Sequence, residues 1–395
     1  MESNRIVLRD YQERAVKKAL EFFRTNRTKD RPIIVAPTGA GKSIYIAHIA
    51  NELKEAVLVL QPSKELLQQN YDKYKMYGGE ASIYSASFGV KEKGQVTFAT
   101  IGSIKDKPQD FCDIRYVIID ECHLVPPKKN SMYVSFLKQL PYAKVIGLTA
   151  TPFRLKSYQD PFSEEKFSQI NLLTRERPKF FDHFLDITQI GDMYAKGYLA
   201  PIKPIEMNWE QGNLKYNTTG AEYSEESVDY EIKRQKVLEK IPSLISQSIS
   251  KGRKHRLVFV KNVCDAEDLS SRVIGSACVS AETKQKERDR IIKEFKEGKI
   301  HTIFNVGVLT LGFDFPALDT IIIARPTMSL ALYMQMVGRG IRPHASKENC
   351  AVVDMCGNYK RFGDISGLTF AKNDKGLWQL ENNGKVLSNT RLDTI

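Results

Sequence analysis

Ala36-Pro-Thr-Gly-Ala-Gly-Lys-Ser43 follows the apolar run Ile33 to Val35, and 77 residues beyond Ser43 a second apolar run ends in Asp120-Glu121-Cys122-His123. In the first segment Pro37, Thr38, Gly39, Ala40 and Gly41 form a tight loop whose glycines let backbone N–H groups turn toward phosphate oxygens. Lys42 supplies a cation for β- and γ-phosphates, and the Ser43 hydroxyl is a ligand for Mg²⁺. In the second segment Asp120 can hold the same ion while Glu121 polarises an attacking water. The ordered pair reads as the two halves of an ATP site. Upstream, Leu8-Arg-Asp-Tyr-Gln12 precedes the loop by about one helix. The Gln12 amide can pair with both the donor and the acceptor edge of adenine, and Arg9 can stack on that base.

Further groups with phosphate chemistry follow in order. Thr149-Ala-Thr-Pro152 lies just past an apolar strand, where the Thr149 and Thr151 hydroxyls can sense the γ-phosphate. Val308-Leu-Thr-Leu-Gly-Phe-Asp314 places a hydroxyl, a glycine and a carboxylate in one loop, with Gly312 and Asp314 suited to a ribose hydroxyl and Thr310 to a nucleic-acid phosphate. Gln335-Met-Val-Gly-Arg-Gly-Ile-Arg-Pro343 reads as continuing a helix opened by Leu330 to Met334, so the three-residue spacing of Arg339 and Arg342 predicts both guanidinium forks on one helical face. Supplied from a second domain, such arginines would act as fingers worth about 10³ to 10⁵ in rate, or roughly 4 to 7 kcal/mol of barrier. Pro62, Ser63 and Lys64, Thr100 and Ser103, and Lys261 and Asn262 stand just past other apolar runs, where ligands of parallel sheets bind. Their hydroxyls, amides and cations suit a sugar-phosphate track without base specificity.

The elements that must position these groups are legible as short β-branched runs alternating with helical stretches. Residues 33–35, 56–60, 96–100, 116–120 and 144–150 are such runs in the first half, with helices expected over Ser43–Leu53 and Lys64–Tyr77. The rhythm resumes at 256–260, 277–281, 302–306, 320–324 and 350–354. The proline-rich stretch between the halves predicts a boundary near residue 190, and the segment after Gly357 predicts a β-meander with turns at Asn373-Asp-Lys-Gly and Asn382-Asn-Gly. The fold class is α/β, with a first domain over 1–190, a second over 191–360 and a β-rich tail over 361–395.

Composition sets the outer limits. A chain of 395 residues with 42% apolar and 27% charged residues is an ordinary globular protein, long enough for two or three cores. The formal net charge of +12 calls for a polyanionic partner. Six scattered cysteines show no zinc-ligand or disulfide spacing, the N-terminus has no apolar signal core, and no run is long enough to span a bilayer. These features predict an intracellular, cytoplasmic protein with no zinc and no membrane partner. The Asn26-Arg-Thr and Asn217-Thr-Thr triplets then read as coincidental glycosylation patterns.

This ordered set resembles superfamily 2 helicases of the DExH type over residues 8 to 356. The resemblance implies two RecA-like domains with ATP between them and a nucleic-acid strand across both. By position it implies adenine recognition at Gln12, motif I at Lys42 and Ser43, motif II at Asp120 and Glu121, and motif III at Thr149 and Thr151. It further implies motif V at Gly312 and Asp314, and motif VI at Gln335, Arg339 and Arg342. Leu-Arg-x-Tyr-Gln, the DECH box, Thr-Ala-Thr-Pro-Phe-Arg and Gly-Arg-Gly-x-Arg-Pro look like the DNA-directed branch, closest to RadD-like repair helicases and their bacteriophage relatives. The cysteine-rich zinc region of RadD-type proteins has no counterpart here. The expected protein is a monomeric ATP- and Mg²⁺-dependent helicase or translocase acting on single-stranded, forked or branched DNA, in a bacterial or phage-infected cell. The competing readings are a translocase that remodels or anneals DNA without unwinding it, an RNA helicase, and a nucleotide-switched binding protein.

Overall fold

The computed structural model describes residues 7–25, 29–160, 162, 166–310 and 312–392. The first residues of the N-terminal segment, the Asn26 triplet, Pro161 and Leu311 of the Val308–Asp314 loop lie outside the described residues. The chain divides into two compact units, one of Met1–Arg154 with Asn171–Gln189, the other of Leu155–Ile170 with Ile190–Ile395.

The first unit is built on an eight-stranded sheet. Its strands are β1 (Ile33–Val35), β2 (Val57–Gln61), β3 (Ser82–Ser85), β4 (Val90–Lys91), β5 (Val96–Thr100), β6 (Tyr116–Ile119) and β7 (Lys144–Thr149). Past a separate two-stranded pair, β8 (Phe153–Gln159) and β9 (Lys166–Leu172), β10 (Phe184–Ile187) completes it. The order is β10-β1-β7-β6-β2-β5-β3-β4, parallel throughout except for β4. β1, β2 and β6 are buried at every position, as strands covered on both faces must be. β10 escapes the apolar-run criterion because Asp186 sits within it, held by Arg14 at 2.9 Å and Lys18 at 2.8 Å from helix Asp10–Arg24. Helices Lys42–Glu52 and Lys64–Met76 fall within a residue of their predicted bounds, the second capped by the Ser63 hydroxyl accepting from Leu66 N–H.

The second unit carries a six-stranded, all-parallel sheet of β11 (Ile202–Glu206), β12 (Arg256–Phe259), β13 (Ser276–Val279), β14 (Thr302–Asn305), β15 (Thr320–Ile323) and β16 (Cys350–Asp354), in the order β11-β16-β15-β12-β14-β13. β11 is a half-exposed edge strand containing Pro204, which explains its absence from the periodicity. The tail forms the expected meander, β17 (Leu368–Lys372), β18 (Trp378–Asn382) and β19 (Lys385–Val386). Asn383 and Gly384, at φ 49° and 81°, make the β18–β19 turn in the left-handed conformation that a tight hairpin requires.

The contiguous division at residues 190 and 360 is not the one the contacts produce. Leu155–Ile170 groups with the second unit, and the tail stays within it. Backbone bonds clip the two together: Asn389 N–H donates to Ile170 O at 2.9 Å and Leu392 N–H to Ser168 O at 3.0 Å. Among the described residues no helix is long and apolar enough to cross a membrane.

Candidate active site

β1, β7 and β6 are adjacent and parallel, so the segments leaving their carboxyl ends converge. Those segments are the Ala36–Ser43 loop, Thr149–Thr151 and the Asp120–His123 box. The loop turns through Gly39 and Gly41 at φ 84° and 81°, and a Cβ on Gly41 would stand 3.0 Å from Gln12 Nε2 and 3.1 Å from Ile44 Cδ1. Gln12 is buried, with Nε2 donating to Ala40 O at 2.9 Å and Oε1 accepting from Arg9 N–H at 2.9 Å. The amide expected to read adenine therefore ties the loop to the start of helix Asp10–Arg24. Tyr11 Oη donates to the same Ala40 carbonyl at 3.3 Å, and the exposed Arg9 reaches Tyr11 Oη at 3.3 Å.

Lys42 Nζ stands 3.1 Å from Glu121 Oε1, and Glu121 Oε2 lies 3.4 Å from His123 Nδ1. Glu121 takes a left-handed backbone, φ 45° and ψ 48°, a conformation that costs a non-glycine residue about 1 to 3 kcal/mol and is commonest at functional sites. Ser43 Oγ donates to Asn70 Oδ1 at 2.5 Å, and Asn70 Nδ2 donates to Asp120 Oδ2 at 2.8 Å. Burial, with the neighbouring Glu121 carboxylate, pushes the Asp120 carboxyl up to about 6. Burial lowers the His123 imidazole, which is neutral at pH 7 and meets the Thr149 hydroxyl at 2.8 Å. The Thr149 Oγ1 also accepts from Thr151 N–H at 3.0 Å, while the buried Thr151 hydroxyl has no partner among the described residues.

Arg154 braces this box from the start of β8. Its Nε donates to His123 O at 2.7 Å, Nη1 makes a fork onto Glu176 at 2.9 and 2.7 Å, and Nη2 reaches Val125 O. In the sequence Arg154 stands out only as the end of the Thr-Ala-Thr-Pro-Phe-Arg string, without this bracing role, and Asn70 does not stand out. An asparagine at a buried position inside helix Lys64–Met76 is the signal that could have found Asn70.

The donor set suits a nucleotide with Mg²⁺. A hydroxyl and a carboxylate are hard oxygen ligands, and Mg²⁺ characteristically takes one or two protein oxygens and completes its shell with phosphate and water. Among the described residues no group of three or more His, Cys, Asp or Glu side chains is placed to hold a metal by itself. The Lys42–Glu121 pair puts a cation where phosphate charge would be met, and two left-handed glycines leave the loop free of side chains that would block its backbone.

In the second unit, one expectation is corrected. Helix Leu330–Val337 stops before either arginine, so Arg339 and Arg342 do not share a helical face. Gly338 and Gly340 flank Arg339, and Gly340 sits so close to Cys350 that a Cβ there would lie 2.4 Å from Sγ. The turn carries Arg339 inward, where Nη1 donates to Phe313 O at 2.7 Å, Nη2 to Thr310 O at 2.5 Å and Nε to Gln335 O at 3.3 Å. Arg339 thus holds the loop containing Gly312, whose φ is 71°. Arg342 pairs with Asp314. Motifs V and VI are one bonded assembly within this unit.

The expected strand contacts are also placed. Lys64 Nζ lies over the Phe88 ring at 4.6 Å, with Pro62 and Ser63 beside it half-buried. The Thr100 and Ser103 hydroxyls meet at 2.8 Å, and Ser103 accepts from Ala86 N–H at 2.9 Å. Lys261 and Asn262 both bond Asp229 of helix Glu225–Arg234, at 2.7 and 3.0 Å, and Thr310 is buried.

Two parallel-sheet units, one with a phosphate loop and acidic box and the other with the bonded Thr310–Asp314 and Gln335–Arg342 segments, have the fold of superfamily 2 helicases, which this chain resembles. The family described as Type III restriction enzyme, res subunit, matches residues 5–154, and the Helicase conserved C-terminal domain matches residues 236–344. IRC3 of Saccharomyces cerevisiae, named as a candidate ATP-dependent helicase, is 25% identical over 89% of this chain and 52% of its own length. The chain thus spans about half of that relative. A DNA 3'-5' translocase, XPB2 of Sulfurisphaera tokodaii, is 24% identical over 86% of this chain and 79% of its own. Among solved structures, the Type ISP restriction-modification enzyme LlaBIII bound to DNA aligns with a TM-score of 0.62 and 16% identity, covering 89% of this chain and 28% of that one.

Proposed function

We propose that this chain hydrolyses ATP with Mg²⁺ and uses the cycle to move along or unwind DNA. The observation that carries the reading is the convergence of Lys42, Ser43, Asp120 and Glu121 at the carboxyl ends of neighbouring parallel strands, with Lys42 and Glu121 3.1 Å apart. The loop N–H groups and Lys42 take the β- and γ-phosphates, and Ser43 and Asp120 hold the cation. Bound Mg²⁺ neutralises charge developing on the phosphate oxygens. Once phosphate takes Lys42, the Glu121 carboxylate is released to accept a proton from the attacking water. Arg342, freed from Asp314, is the second unit's cation for the transition state; the resemblance implies the same role for Arg339, whose guanidinium would first have to leave the Phe313 and Thr310 carbonyls. Coupling follows if nucleotide favours a closed arrangement of the units that hydrolysis releases.

The net charge of +12 and the names of the XPB2 and LlaBIII relatives support DNA as the track. The finer resemblance to RadD-like repair helicases adds branched or forked DNA to the proposal. The test compares ATP turnover with single-stranded, duplex and forked DNA and with RNA, alongside strand displacement on the fork. Stimulation by DNA over RNA supports the reading. Stimulation without displacement selects the remodelling translocase, and stimulation by RNA alone would overturn the DNA assignment. Binding should weaken steeply as salt rises, because backbone contacts release counterions.

A further inference from the structure

Asn70 belongs to none of the motifs that carry the family resemblance, yet it joins the two groups expected to ligate the cation. It lies inside helix Lys64–Met76, 2% exposed, where a polar side chain is costly unless both ends of its amide are bonded. Both are. Its Oδ1 accepts from Ser43 Oγ at 2.5 Å, and its Nδ2 donates to Asp120 Oδ2 at 2.8 Å. The other Asp120 oxygen accepts from Glu121 N–H at 2.9 Å. An amide is suited to this place because it offers an acceptor and a donor from one rigid plane. By accepting the Ser43 proton it fixes the direction of that bond and leaves the hydroxyl lone pairs for a cation. By donating to one Asp120 oxygen it fixes the rotation of the carboxylate.

We infer that Asn70 is a positioning residue that presets Ser43 and Asp120 as a ligand pair for the divalent cation of the bound nucleotide. The inference rests on the ATP and Mg²⁺ reading above. Residues that orient metal ligands typically change metal affinity by about 10- to 100-fold when removed. An ordinary packing tie between helix Lys64–Met76 and β6 would instead affect stability and nucleotide binding alike, whether or not metal is present.

The experiment is a titration of Mg²⁺ into the full chain with a fluorescent, non-hydrolysable ATP analogue, for the unsubstituted protein, Asn70→Ala and the near-isosteric Asn70→Leu. Thermal melting without nucleotide and analogue binding in EDTA are measured in parallel. The expected result is a half-saturating Mg²⁺ concentration raised roughly 10- to 100-fold in a folded variant, with metal-free analogue affinity unchanged within about twofold. An unchanged Mg²⁺ midpoint overturns the inference, and so does an equal loss of binding with and without metal. Failure of both variants to fold assigns Asn70 to packing and also overturns it. No analogue binding by the unsubstituted protein would sink the ATP reading itself, an outcome distinct from a normal Mg²⁺ midpoint in the variants.

Discussion

Arg154→Ala tests whether the acidic box is held in place from outside the motif. The Arg154 side chain is 22% exposed and that of Glu176 11%, so the fork between them is largely desolvated. Breaking a fully buried pair costs about 3 to 5 kcal/mol, and discounting for the remaining exposure leaves about 2 kcal/mol. The bonds to His123 O and Val125 O each add about 1 kcal/mol, for about 3 to 4 kcal/mol in all. For a unit of this size that corresponds to a fall in melting temperature of roughly 6 to 16 °C. The same two carbonyls lie two and four residues past Glu121, so turnover should fall as well, by roughly 10- to 100-fold if the box shifts by about 1 Å. Arg154→Lys keeps the charge but cannot reach both carbonyls and the carboxylate, and should recover less than half of the lost stability. The assay is thermal melting with ATP turnover on the same preparations. A melting temperature within 2 °C of the parent, with turnover intact, would falsify the brace.

Glu121→Gln should lower kcat by about 10³-fold or more, as loss of a general base requires, while analogue affinity holds or improves because Lys42 loses its competing carboxylate; affinity weaker than the parent's would contradict that competition. Gly41→Ala forces a side chain into φ 81° and against Gln12 and Ile44, and should weaken nucleotide binding at least 10-fold with a stability cost of about 1 to 2 kcal/mol, read by analogue titration and melting. Arg342→Ala should reduce turnover more than nucleotide binding, and undiminished hydrolysis would remove it from the transition state. Lys42→Ala should abolish analogue binding in a protein that still melts cooperatively.

The parallel sheets were legible because strands buried on both faces must be largely apolar, as Val57–Gln61 is until its last residue. What periodicity missed lies where that rule does not apply: β10 carries Asp186, β11 is an exposed edge with Pro204, β8 past its first residue is intermediate or exposed, and β9 runs from exposed at its start to buried at its end. The phosphate loop and acidic box were legible because their chemistry is local in the chain. The helix-face prediction for Arg339 and Arg342 failed for a local reason too: two glycines in three residues end a helix more readily than an apolar run can extend it. Asn70 and Arg154 are legible only in three dimensions, since each acts on residues 27 to 50 positions away in the first case and 22 to 31 in the second.

The bonding within the site bears on how it discriminates among ligands. Most groups assigned to the nucleotide already have a partner from the same site: Lys42 has Glu121, Ser43 and Asp120 share Asn70, the Gln12 amide holds Ala40 O, and Thr149 meets His123. A phosphate must therefore exchange the Lys42–Glu121 bond rather than fill a vacant one, and its net gain depends on compensating the group it displaces. A triphosphate without metal can take Lys42, but it leaves the Glu121 and Asp120 carboxylates facing added negative charge. A divalent cation without phosphate can draw on Ser43 and Asp120 but leaves the Lys42–Glu121 pair as it was. On the proposed reading, the metal–triphosphate complex would satisfy the cation, the ligand pair and the loop together, and the Glu121 carboxylate, fixed by its left-handed backbone, would then be released from Lys42 toward water. The Lys42–Glu121 bond would thereby couple activation of the base to arrival of the complete substrate.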